Sequence, residues 1–98
     1  MNEWGEYEYN ETPKIGETVY IVCGNEIYKE KIYAVGKDFF IPTNYKKCKD
    51  GFAEVKFLSY GKNWFYQLGT AKDKLLENLT DEEEIVQGDK NWWYVDKL

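Results

Sequence analysis

Two segments rich in β-branched and aromatic residues, Thr18–Cys23 (TVYIVC) and residues 27–35 (IYKEKIYAV), are separated by little more than Gly24-Asn25. Such side chains suit a pleated, half-buried surface, and Gly24-Asn25 offers a tight turn between antiparallel strands. The pair predicts a hairpin, and the same punctuation recurs downstream. Gly36-Lys37-Asp38 turns into Phe39-Phe40-Ile41, which Pro42 stops. Residues 43–51 are polar and charged and read as a loop. Residues 52–58 alternate like a strand, Tyr60-Gly61-Lys62 turns again, and residues 63–68 (NWFYQL) make another strand. Turn signals at these short intervals are the spacing of an antiparallel β-domain.

A helix is predicted near residues 70–79: Thr70 is placed to cap it, Asp73 stands at the third helical position, and Leu75, Leu76 and Leu79 form one apolar stripe. The tail has two readings. Thr80-Asp81-Glu82-Glu83 has the form of a cap for a second short helix ending near Gly88. Alternatively, Ile85-Val86-Gln87 pairs with residues 92–95 across Gly88-Asp89-Lys90-Asn91. The run Trp92-Trp93-Tyr94-Val95 needs a strand partner, which favours the hairpin. The expected class is therefore α+β, a small, strongly bent antiparallel sheet with one helix, and a chain of 98 residues has room for one domain, residues 1–98, with one core.

The residue types present limit the chemistry. The chain has 9 Tyr, 5 Phe and 4 Trp but no His and no Arg. Aromatics build small cores and interfaces, whereas His and Arg are the usual instruments of proton transfer and phosphate recognition. No enzyme activity, cofactor or metal is expected. Residues 81–84 lack the alternating ligands and glycine of a calcium loop. Cys23 and Cys48 make neither a zinc site nor a CxxC motif, and both are expected as free thiols, Cys23 buried and inert in an apolar strand, with a disulfide as the secondary alternative. Cys48 lies between Lys47 and Lys49, cations that would favour thiolate, yet an unreactive surface residue in a loop explains it without function and is the favoured reading. No stretch approaches the ~18 apolar residues of a membrane span, and the N-terminal residues are acidic where a signal peptide would be basic and then apolar. A cytoplasmic protein is expected.

Several short motifs resemble an SH3-type barrel. Lys14-Ile15-Gly16-Glu17 followed by Tyr20-Ile21-Val22 is similar to the entry into the second barrel strand, and Phe40-Ile41-Pro42-Thr43-Asn44-Tyr45 resembles the family's Pro-Ser-Asn-Tyr corner. Tyr7-Glu8-Tyr9 stands for the aromatic and acidic residues near the family's N-terminus. The resemblance implies an SH3-like small barrel, in which Tyr7, Tyr9, Pro42 and Tyr45 would match an aromatic groove for extended segments. The segment between Tyr9 and Gly16 is shorter than the acidic loop of peptide-binding members, and no Trp stands where the family places its groove Trp, with Trp92-Trp93 downstream of the corner, so proline-peptide binding does not follow. Residues 63–79 resemble small accessory proteins of low-GC Gram-positive bacteria and their phages, some of which inhibit host defence, including anti-CRISPR proteins. The abundance of Lys, Asn, Ile, Tyr and Glu with little Ala fits the same AT-rich setting.

Net charge is −5, and it is unevenly spread: −4 over residues 1–13, +3 over 14–62 and −4 over 63–98. Acidic ends on an aromatic scaffold suit competition with nucleic acid for a basic groove. The expected function is non-catalytic protein binding, as an acidic inhibitor of a nucleic-acid-binding protein of the phage anti-defence type. Glu3, Glu6, Glu8, Glu11, Asp81, Glu82, Glu83 and Glu84 would supply charge, with Tyr7, Tyr9 and Trp93 as anchors. One of Trp92 and Trp93 must face outward, because successive strand residues point to opposite faces. Two alternatives stand beside this: a nucleic-acid-binding barrel using Tyr45, Lys46, Lys47 and Lys49, where cations flank a ring that stacks on bases, and a structural subunit of a phage or other assembly.

Overall fold

The computed structural model describes residues 13–43 and 54–98. Strands β1 (Thr18–Cys23) and β2 (Glu26–Val35) form the expected hairpin, with Cys23 opposite Glu26 and Gly24 in the turn at φ 63°, a region glycine enters without steric penalty. β3 (Phe39–Pro42), β4 (Val55–Lys56), β5 (Trp64–Phe65), β6 (Glu83–Asp89) and β7 (Trp92–Lys97) complete an antiparallel sheet of 7 strands among the described residues. One helix, α1 (Leu68–Leu76), packs against β1, β2 and β5.

β2 serves two partners along one edge. Its first residues, Glu26, Ile27 and Tyr28, pair with β7, and its last, Ile32, Ala34 and Val35, pair with β3, with the register shifting between Ile32 and Ala34. The opposite edge pairs with β1, which carries β5 on its far side. An irregularity of this kind bends a strand and sharpens its twist. The sheet is accordingly a strongly curled half-barrel of the α+β class, mostly strand, compatible with the small barrel that the sequence motifs imply.

Strand alternation fills two cores. Val19, Ile21, Ile32, Phe40, Val55, Phe57 and Trp64 pack inside the curl. Ile27, Phe65, Ala71, Leu75 and Trp93 pack on the other side, beneath α1. The two residues of β5 point to opposite faces, so Trp64 enters the first core and Phe65 the second. Trp64 is fully buried; its ring meets Phe40, Tyr60 and Tyr66 edge-on with centroids 5.0, 4.8 and 5.1 Å away, and its Nε1 donates to the Lys56 carbonyl at 3.0 Å. A buried indole is stable only where its N–H finds such an acceptor.

Several local expectations are corrected. The helix begins at Leu68, not Thr70, with Gln67 as an N-cap that makes no side-chain capping bond; the Thr70 hydroxyl donates back to the Gln67 carbonyl at 2.9 Å, a bond made from inside the first turn. The helix closes at Leu76, which is 51% exposed, so the leucine stripe is buried only at Leu75. The strand expected over 52–58 is extended, within the described residues, only at Val55 and Lys56. It then winds into a 3-10 turn, Phe57–Ser59, which buries Phe57 and ties its N–H to the Asp38 carbonyl. The strand expected over 63–68 is cut to β5 because the chain turns into α1. Pro42 closes β3 as a paired residue opposite Ile32. The tail is the hairpin, with Ile85 opposite Val95, Val86 opposite Tyr94 and Gln87 opposite Trp93. Cys23 is disulfide-bonded, not a free thiol; Cys48 lies outside the described residues. None of the described helices is long and apolar enough to cross a membrane.

Deleting the Trp64 side chain leaves a hole at the meeting point of three rings. Trp64→Ala should lower unfolding free energy by about 3–5 kcal/mol, read as the urea midpoint, whereas Leu58→Ala, at a site 68% exposed, should change it by less than about 0.5 kcal/mol.

Candidate protein-binding face

The alternation that fills the cores also sorts charge. Along β2, Glu26, Tyr28 and Glu30 occupy one face, while Ile27, Lys29 and Lys31 occupy the other. Residues directly opposite each other share a face, so the cross-strand register carries this sorting outward. Tyr28 pairs with Trp92, Glu26 with Tyr94, Tyr94 with Val86, and Asp96 with Glu84. The far end of the sheet therefore presents Glu26, Glu84 and Asp96 around Trp92 and Tyr94 on one side. Lys29, Lys31 and Lys97 lie on the helix side, together with Glu83. Glu84 and Asp96 are exposed, and Glu26, Trp92 and Tyr94 are half-buried.

Trp92 is held from three directions. Its Nε1 donates to Glu26 Oε1 at 3.3 Å, its ring stacks on Tyr94 with centroids 4.8 Å apart and planes 24° from parallel, and it lies against Gly88, where a Cβ would fall 2.2 Å from Trp92 Cε3. Glu26 Oε1 also accepts from the Tyr28 hydroxyl. Burial, and then the hydrogen bond to and negative charge of Glu26, push the Tyr28 phenol up to about 12. The result is an oriented carboxylate beside a stacked ring pair.

At the root of the hairpin, Thr80 and Glu83 bond reciprocally. The Thr80 N–H donates to Glu83 Oε1 at 3.0 Å, the Glu82 N–H to Thr80 Oγ1 at 3.2 Å, and the Glu83 N–H to the Thr80 carbonyl at 3.2 Å. The Glu83 carboxylate reaching back to the Thr80 N–H is the glutamate half of a helix capping box, used here to close a turn that starts a strand. The Leu98 N–H donates to the Glu82 carbonyl at 2.8 Å and ties the end of β7 to the same turn. Glu83 thereby spends a carboxylate oxygen on the backbone, leaving Asp81, Glu82 and Glu84 as the exposed acids of the run.

Trp93 is not an outward anchor: it is 5% exposed, packed among Ile27, Phe65, Ala71 and Leu75 and 6.1 Å from the Tyr20 ring. Trp92 is the outward member of the pair. The sequence offers Trp92 only as the alternative to Trp93 for the outward position and does not single out Tyr94, Glu26 or Asp96; the sign of their face is present in the Glu-x-Tyr-x-Glu alternation of β2, but joining it to β7 requires the long-range register. Glu3, Glu6, Tyr7, Glu8, Tyr9, Glu11, Tyr45, Lys46, Lys47 and Lys49 lie outside the described residues.

Among the described residues, no three acidic or cysteine side chains converge as metal ligands would. An open groove of about 340 Å³ runs between the end of β1 and β4, lined by Glu54 and Ser59 among others, and the Ser59 hydroxyl donates to the Lys56 carbonyl at 2.8 Å. No family model, curated protein or solved structure matches the chain.

Gly88 has no positive φ, so Ala is tolerated by the backbone but not by the indole. Gly88→Ala should cost about 1–3 kcal/mol through overpacking and shift Trp emission, whereas Gly69→Ala in α1, with nothing near its Cβ, should be neutral or stabilise by about 0.5 kcal/mol. The raised Tyr28 pKa makes a second, separable prediction. The unfolded chain gives up the phenolic proton first, so this contribution to stability is complete below the ordinary value of 10.0 and is lost as pH rises through about 12. Tyr28→Phe should remove that part of the alkaline decline in urea midpoints, while lowering neutral-pH stability by about 1 kcal/mol for the lost hydrogen bond.

Proposed function

We propose that the chain is a non-catalytic protein-binding module that occupies the basic surface of a nucleic-acid-binding protein and competes with nucleic acid there, an inhibitor of the anti-defence type. The observation that carries this reading is the segregation of charge across the hairpin, with Glu84, Asp96 and Glu26 on the aromatic face and Asp81 and Glu82 exposed at its root. Clustered carboxylates beside partly exposed rings meet the needs of a basic groove: long-range attraction for encounter and apolar area for residence. The opposite reading, direct nucleic-acid binding by this face, would set phosphates against carboxylates.

The test is capture from nuclease-treated lysate at low salt, followed by displacement. A captured basic protein should be released by added duplex DNA or RNA, and its affinity should fall at least about tenfold at raised salt or with Asp81→Asn, Glu82→Gln and Glu84→Gln combined, since surface charge pairs are screened by ions. A partner indifferent to nucleic acid, salt and neutralisation would overturn the reading.

A further inference from the structure

We infer that the Trp92–Tyr94–Glu26 assembly is a receptor for an arginine side chain of the partner, so that the face selects guanidinium over other cations. The inference rests on the protein-binding reading of this face and deepens it. Three observations converge on it. Trp92 and Tyr94 are stacked and partly exposed, giving a polarisable aromatic surface whose negative ring faces attract cations. Both donors to Glu26 fall on Oε1, from the Tyr28 hydroxyl and from Trp92 Nε1, and Oε2 receives no donor among the described residues. The surrounding exposed side chains on this face, Glu84 and Asp96, are of the same sign.

A cation arriving here meets a flat aromatic surface and a carboxylate whose orientation is already fixed. Guanidinium fits that pair better than ammonium does. It is planar, so it stacks on a ring while its in-plane N–H groups reach a carboxylate oxygen, and it is more weakly hydrated. An ammonium must choose between the ring and the acid or keep its water. Two bonds already made to Oε1 hold the carboxylate in one orientation, so little side-chain entropy is lost when the ligand binds.

The test uses the full chain and three Gly/Ser peptides of one sequence, carrying arginine, lysine or the neutral arginine isostere citrulline. Binding is followed by the indole N–H resonance of Trp92 and by Trp fluorescence. The arginine peptide should bind about tenfold tighter than the lysine peptide and should shift the Trp92 resonance, with citrulline weaker than either. Glu26→Gln keeps an acceptor for Tyr28 and Trp92 but removes the charge, and should weaken the arginine peptide by about tenfold. Trp92→Leu should abolish the preference for arginine. Equal affinity for arginine and lysine, unchanged binding by Glu26→Gln, or an unmoved Trp92 resonance would overturn the inference. If the arginine preference holds but nucleic acid fails to displace the captured partner, the competition reading falls and this site stands. Displacement without arginine preference removes this site alone.

Discussion

Along one edge of β2, the backbone groups must satisfy β7 at one end and β3 at the other. A single straight strand cannot lie in both ladders without a shift, and the chain accommodates this between Ile32 and Ala34. Beyond that point β3 and β4 turn over the first face of the sheet and enclose Phe40, Val55 and Trp64. Before it, the same face runs out to β7 and β6 and carries Trp92, Tyr94 and the carboxylates. One face of one strand is thus core at one end and a partly open, acidic aromatic surface at the other. The other face is closed by α1, which leaves no choice about which of two adjacent tryptophans is buried.

The two cores are joined through β5, whose Trp64 and Phe65 plug opposite sides of β1. Hydrophobic burial from both sides of the sheet suits a chain of this size, in which one shallow layer alone would cover too little apolar surface. It also accounts for much of the high aromatic content. Trp64, Trp93, Phe40, Phe57 and Phe65 are structural, and Trp92 and Tyr94 are the members whose rings remain partly open to solvent on the acidic face.

The local elements were legible where neighbouring residues decide them. The β1–β2 hairpin follows from two strand-like runs and a glycine turn, and the terminal hairpin follows from an apolar run in need of a partner. Elements set by distant contacts were not. Thr70 looked like a cap, but Leu68 and Ala71 are drawn against the sheet and start the helix earlier. Residues 63–68 read as a strand by composition, yet only Trp64 and Phe65 are paired in register with β1, beside the bond from the Val22 N–H to the Asn63 carbonyl. The parity of Trp92 and Trp93 was evident from strand geometry, while the choice between them depends on the pairing of Trp93 with Ile27, residues far apart in the chain. The Thr80–Glu83 pattern is compatible with a helix cap as well as with a turn, because the same donors and acceptors close either, and the need of residues 92–95 for a strand partner decides for the hairpin. The disulfide at Cys23 had no local signature at all.

Because β2 alternates acid and lysine at successive positions, the electrical identity of each face is a matter of parity. Moving β2 by one residue against its neighbours would carry Lys29 and Lys31 to the aromatic side and send Glu26 and Glu30 beneath the helix, turning the molecule electrically inside out. The Gly24-Asn25 turn is what counts the residues. A one-residue insertion there would be a change of polarity as much as a change of fold, and the sign of each face is therefore fixed by the length of the first turn.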